Sequence, residues 1–167
     1  MSDDFDAIVG DIDDELDLTL YADAAELSEE VTVQILAAIE KGLKLKSQFH
    51  LVLTGGTLGV QISEALVHEF NADPDGFAGL YIWWSDERFV PADSVERNAF
   101  PFHKTVTNTK IVIHQALASD VAQSIDDAVS DYDLALENVD IDLNVFCLLY
   151  TSPSPRDTER SRMPSSA

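Results

Sequence analysis

The chain has 167 residues, with 10 Lys+Arg against 31 Asp+Glu for a formal net charge of -21, and is 46% hydrophobic. That balance suits one α/β domain or part of a larger one, and it excludes a collagen-like or bilayer-spanning chain, since no stretch approaches ~20 continuous apolar residues. So acidic a surface repels phosphate backbones and anionic headgroups, which argues against nucleic-acid and membrane partners.

The acidic N-terminus lacks the basic flank of a signal peptide, so the protein is expected in the cytoplasm. A lone cysteine, Cys147, excludes an internal disulfide and a cysteine-rich metal site. In chain order, Ala7-Ile8-Val9 reads as a short strand. Over residues 21–44, Ala24, Leu27, Val31, Ile35, Ala38 and Leu43 recur at three- to five-residue intervals, the stripe of an amphipathic helix. Glu29 and Glu30 precede Lys41, Lys44 and Lys46 along it, the order a helix dipole favours.

Phe49-His50-Leu51-Val52-Leu53 then reads as a buried, parallel-type strand that runs straight into Thr54-Gly55-Gly56-Thr57. A second helix follows with Leu58, Ile62, Leu66 and Phe70 on one face, and Leu80-Tyr81-Ile82-Trp83-Trp84 is the next strand, broken at Ser85. Beyond a Pro91-containing loop the pattern predicts a short helix over about 98–106, a strand over 110–114, a helix over 119–137 and a last strand from 142 to 146. The 119–137 helix is expected to turn Val121, Ile125, Val129 and Leu134 inward. Strands alternating with helices predict a Rossmann-like, doubly wound, mostly parallel sheet with helices on both faces.

The composition changes at Cys147. Ser, Pro and Arg dominate from there to Ala167, and the codons for residues 147–157 can spell a transposase sequencing adapter, so 147–167 is read as a non-native, disordered library scar. The native product is then expected to be truncated on its C-terminal side. Without the scar's three Arg and two acids, 7 basic and 29 acidic residues remain, and Arg88 and Arg97 are the only arginines. This acidity fits either adaptation to high salt or an ordinary bacterial enzyme.

In an open α/β sheet, ligands sit beyond the carboxyl ends of the strands, which directs attention to loops 54–57 and 85–97. Gly55 and Gly56 let backbone N–H groups approach an anion where the next helix opens, with Thr57 as a further hydroxyl or cap. The same glycines would also serve a plain tight turn. The Gly-Lys-Ser/Thr ending of a P-loop is missing. Asp86, Glu87 and Arg88 stand at a strand end, with Arg97 and Asn98 about ten residues on, and Arg forks onto phosphate or carboxylate oxygens. A charged surface loop is the alternative reading. His50 and His68 are read as structural, His103 and His114 stay unassigned, and Trp83 and Trp84 are read as core.

Taken together, L-V-L-T-G-G-T (51–57), W-W-S-D-E-R-F-V-P (83–91) and E-R-N-A-F (96–100) resemble the 6-phosphogluconolactonase family. The resemblance covers residues 1–146, about three-fifths of a family member. It implies a Rossmann-like domain related to sugar-phosphate isomerases that hydrolyses 6-phosphogluconolactone to 6-phosphogluconate in the pentose phosphate pathway, without metal or cofactor; the protein is expected to be a monomer. It also implies substrate contacts from Gly55, Gly56, Thr57, Glu87, Arg88 and Asn98, with support from Asp86, and Arg97 is counted with them as a further donor of the same loop. Thr54 and Thr57 stand where serines are more usual in the family, and Leu58-Gly59 replaces a proline-containing continuation. The family's Asp-Gly-His histidine, the implied general base, falls beyond Phe146, so this chain is expected to be inactive although its parent is an enzyme. The rival readings are a glucosamine-6-phosphate deaminase, disfavoured by Arg88 after Asp-Glu, and a non-catalytic sugar-phosphate-binding module on the same fold.

Overall fold

The computed structural model describes residues 18–103 and 105–147, so the expected Ala7-Ile8-Val9 strand and most of the adapter-like segment lie outside the described residues. The described chain begins with helix α1, Ala24–Leu45, then strand β1, Phe49–Leu53, helix α2, Gly56–Ala72, and strand β2, Leu80–Trp84. A 3-10 turn at Phe100–Phe102, strand β3 at Val112–Ile113, helix α3 at Ile125–Leu136 and strand β4 at Leu143–Asn144 complete it. The four strands form one sheet in the order β3-β2-β1-β4, and every adjacent pair is parallel.

Strand alternation sorts the side chains into two faces. Phe49, Leu51, Leu53, Leu80, Ile82 and Trp84 pack with Ile35 and Ile39 of α1 and Ile62, Leu66 and Phe70 of α2 in the main core. On the other face, His50, Tyr81, Trp83 and His114 form a stacked row, closed at one end by Tyr132 of α3. Helices therefore stand on both faces, as the doubly wound reading expects.

Helix α1 starts where Asp23 accepts hydrogen bonds from Ala25 N and Glu26 N at 2.9 Å each, a side-chain N-cap. Its most buried positions are Ser28, Thr32, Ile35 and Ile39. The buried face thus sits one position off the expected apolar stripe at its start, where Leu27 and Val31 are only half-buried, and it admits Thr32 because the hydroxyl donates to Ser28 O at 2.7 Å and is satisfied inside the helix. In α2 the expected Ile62, Leu66 and Phe70 are buried and Leu58 is half-buried.

Other expectations change, and the last strand, expected over 142–146, pairs only at Leu143 and Asn144. The helix expected over 98–106 is only a 3-10 turn, because Asn71 takes over the chain that follows: its Nδ2 donates to Thr105 O and its Oδ1 accepts from Thr107 N, both at 2.8 Å. The strand expected over 110–114 pairs only at Val112 and Ile113. The helix expected over 119–137 begins at Ile125, where Ser124 caps it by accepting from Asp127 N at 3.1 Å. Val121, Ile125, Val129 and Leu134 do not turn inward; they are 64%, 56%, 61% and 67% exposed. The helix docks instead through Ala128, its one buried residue, and the Tyr132 hydroxyl, which accepts from Trp84 N at 2.9 Å and donates to Trp84 O at 3.2 Å.

Candidate active site

Parallel pairing decides where the two singled-out loops meet. Leu53 is in register with Trp84, so the chain leaves β1 into Thr54-Gly55-Gly56 and leaves β2 into residues 85–88 at the same end of the sheet, on neighbouring strands. Ser85 N donates to Leu53 O at 2.9 Å and carries the pairing one residue past the strands.

The glycine loop opens α2 with Gly55 as its N-cap, and no side chain caps the helix. Thr57, half expected as a cap, is instead the second helical residue, and it is exposed. The first turn also lacks an acid, so its N–H groups and the positive end of the helix dipole face outward without a counter-group of their own. Gly56 holds φ +81°, the left-handed region that favours glycine. Gly59 is needed for another reason, since a Cβ there would run into the Thr54 carbonyl oxygen.

The 85–88 loop divides its charges. Asp86 and Arg88 are exposed. Glu87 points inward: its Oε1 accepts from Asn98 N at 2.6 Å and Arg88 N at 2.8 Å, and its Oε2 accepts from Ala99 N at 3.1 Å. Arg97 lies behind it with Nε 3.4 Å from Glu87 Oε2, both side chains almost wholly buried. That pair is an ion pair rather than an aligned hydrogen bond, since Nε and Nη1 find no hydrogen-bond partner, and the guanidinium is anchored by Nη2 donating to Ala116 O at 2.6 Å. Asn98 is buried too, donating through Nδ2 to Asp86 O at 2.9 Å, and its side chain lies against Gly55.

Beside this loop a cleft of about 280 Å³ runs between the tip of β2 and α3, lined by Trp84, Phe89, Leu117, Val129 and Tyr132 with Arg88 at its edge. Burial pushes the Tyr132 hydroxyl up from its ordinary range, partly offset by its bond to the Trp84 backbone, and the Glu87 charge adds to the rise. Tyr132 is not singled out by the sequence, because one hydroxyl does not stand out in an apolar period.

The histidines stand elsewhere. His50 accepts from Trp83 Nε1 at 3.1 Å, and His114 stacks on Trp83 with centroids 3.9 Å apart. Burial lowers both imidazoles, His50 against an opposing pull from Asp142. His68, read as structural, is exposed and bonded to its neighbour Glu69. Among the described residues no group of three His, Cys, Asp or Glu is placed to hold a metal ion.

The sequence profile of the family described as glucosamine-6-phosphate isomerases/6-phosphogluconolactonase matches residues 22–149, most of the chain and both loops. The chain belongs to this family. It is 25% identical to the 6-phosphogluconolactonase of Streptomyces coelicolor over 169 aligned positions, covering 86% of this chain and 65% of that protein. It is 26% identical to the 6-phosphogluconolactonase of Mycobacterium tuberculosis over 107 positions, covering 62% of this chain and 42% of that protein. The chain thus spans less than two thirds of the length of these relatives.

Two solved structures share the fold. The 6-phosphogluconolactonase of Thermotoga maritima superposes with a TM-score of 0.56 at 24% identity, covering 70% of this chain and 53% of that one. That of Trypanosoma brucei gives 0.57 at 20%, covering 72% and 49%. No helix among the described residues is long and apolar enough to cross a membrane.

Proposed function

We propose that the whole protein hydrolyses 6-phosphogluconolactone to 6-phosphogluconate, and that the end of β1 and β2 described above is where its substrate binds. One observation carries this reading: the register of β1 with β2 sets an uncapped helix N-terminus and an exposed Asp86/Arg88 pair on adjacent strand tips. In an acidic chain, a phosphorylated sugar is captured only where local positive groups overcome the overall field. The open N–H groups of Gly56 and Thr57 and the forked guanidinium of Arg88 supply them.

Lactone hydrolysis adds water to the ring carbonyl and breaks the ring C–O bond, yielding a carboxylic acid that ionises and a hydroxyl. The reaction needs donors for the carbonyl oxygen as negative charge grows on it, and a base for the water. In this reading Arg88 and the helix N–H groups hold the phosphate, with the Asp86 carboxylate nearby, so the donor for the carbonyl oxygen is assigned to the part of the protein that the relatives have in addition. None of the four histidines among the described residues bonds to this loop pair or lines the cleft, so the base is assigned to the part of the protein that the relatives have in addition. We place the protein in the cytoplasm as a monomer, and its acidity argues against a nucleic-acid partner.

Calorimetric titration of the 167-residue chain with 6-phosphogluconate and with glucosamine 6-phosphate tests the reading. Saturable 6-phosphogluconate binding that weakens about 10-fold or more in Arg88→Met is the expected result. Preference for the amino sugar would favour the deaminase chemistry of the same family, and absence of sugar-phosphate binding would reject the site. Lactone turnover by an intact relative but not by this chain is expected; tight binding without turnover in the whole protein would mark a non-catalytic module.

A further inference from the structure

The geometry points to Asn98 as a positioning residue that sets the gap between the two loops, with Glu87 and Arg97 holding it in place rather than touching substrate; this rests on the binding site proposed above. Four residues act as one unit. Glu87 accepts the backbone N–H groups of Asn98 and Ala99, which fixes where the 97–99 segment passes beneath the strand tips. Arg97 reaches past Glu87 to the Ala116 carbonyl and ties the same segment to the chain that follows β3. Asn98 is thereby left with its side chain between the loops, Nδ2 bonded to Asp86 O on one side and the amide against the Gly55 backbone on the other.

Glu87 has little capacity left for a ligand. Its two oxygens already face three N–H donors and a guanidinium, in a side chain only 8% exposed. Arg97 is 2% exposed at its side chain and Asn98 is buried, so neither presents its charge or amide outward as Arg88 does. Gly55 then has a purpose that its backbone conformation does not require. Its φ of -90° is open to any residue, yet a Cβ there would fall 2.6 Å from Asn98 Nδ2 and closer still to Oδ1 and Cγ. The missing side chain makes room for Asn98, and Asn98 transmits the position of the acid/arginine loop to the anion-binding helix end.

A double-mutant cycle reads this coupling directly. Gly55→Ala, Asn98→Ala and the double variant are made in the 167-residue chain and followed by amide NMR and by titration with 6-phosphogluconate. Gly55→Ala is expected to shift the amide resonances of residues 86–88, a loop about 30 positions away in sequence, and Asn98→Ala is expected to abolish that transmitted shift in the double variant. Each single variant is expected to weaken 6-phosphogluconate binding about 5-fold or more, with the double no weaker than the worse single. Asn98→Ser supplies the same cycle should Asn98→Ala fail to fold.

A merely structural role predicts changes spread through the core and affinity losses that multiply. Unchanged resonances at 86–88 in Gly55→Ala, or multiplicative losses, would overturn the assignment. Failure of the unaltered chain to bind 6-phosphogluconate would instead reject the proposed site, and the resonance cycle would still decide the coupling.

Discussion

Two adjacent acids at the end of β2 should differ sharply when removed. In Glu87→Ala, the buried N–H groups of Asn98 and Ala99 lose their acceptor, and the Arg97 guanidinium keeps only its bond to Ala116 O. Each orphaned N–H costs about 1–3 kcal/mol, and breaking a buried ion pair costs about 3–5 kcal/mol; the two overlap because they describe the same carboxylate, so a net loss of about 3–5 kcal/mol follows. Set against a total stability of about 5–15 kcal/mol, that is a large fraction. Asp86 is exposed and its side chain reaches only Ser85 Oγ at 3.4 Å, so Asp86→Ala should stay within about 0.5 kcal/mol of the parent. Urea unfolding at pH 7 followed by far-UV circular dichroism measures both. With a slope of about 2 kcal/mol/M, the Glu87→Ala midpoint should fall by about 1.5–2.5 M while that of Asp86→Ala barely moves. A Glu87→Ala loss below about 1 kcal/mol, or equal losses in the two variants, would refute the division of labour between them.

Other outcomes follow from neighbouring geometry. Gly56 has open space around its Cβ position, so Gly56→Ala should cost about 1–2 kcal/mol from the left-handed backbone alone, and Gly56→Asn less; equal costs would argue against that conformation. Gly59→Ala meets the Thr54 carbonyl, and a thermal scan should show a loss of about 1–3 kcal/mol even though alanine is the better helix former. Tyr132→Phe removes the hydroxyl that serves Trp84 N and O, and should lower stability by about 1–3 kcal/mol; an unchanged melting temperature would show that α3 does not hold the end of β2. Burial holds His50 and His114 below the ordinary imidazole value near 6.5, so the unfolded chain binds more protons than the folded one just below that pH. Stability should therefore be full above about pH 6.5 and decline as pH falls below it, and His114→Phe, which keeps a ring on Trp83, should flatten that slope.

The two central strands were legible because each is an uninterrupted apolar run ending in a polar turn, and residues 49–53 and 80–84 form strands as read. The meeting of the two loops was legible for the same reason, since parallel strands put their following loops at one end. The docking face of α3 was not. Hydropathy gives weight to Val121, Ile125, Val129 and Leu134, whereas the helix seats itself by a small residue, Ala128, and a single hydroxyl, Tyr132, neither of which stands out in an apolar period. Within the site, the motif Asp86-Glu87-Arg88 could be seen, but not which acid faces inward. That depends on backbone N–H groups at 98 and 99, and a sequence pattern carries side chains rather than the direction of amides. The reason for Gly59 was hidden likewise, since it lies in a carbonyl five residues earlier in the chain.

The neighbouring indoles of β2 look out on opposite sides of the sheet. Trp83 is stacked on His114 with the planes 3° apart, whereas Trp84 lies edge-on to Phe102 with its Nε1 unpaired in the main core. A protonated imidazole quenches indole emission on contact, so one strand carries two optical reporters of different character: a proton-sensitive one beside His114 and a proton-indifferent one facing α2. In Trp84→Phe the remaining emission should dim as pH falls below about 6.5, while in Trp83→Phe it should hold steady; a matching response from both would mean the two rings share one environment.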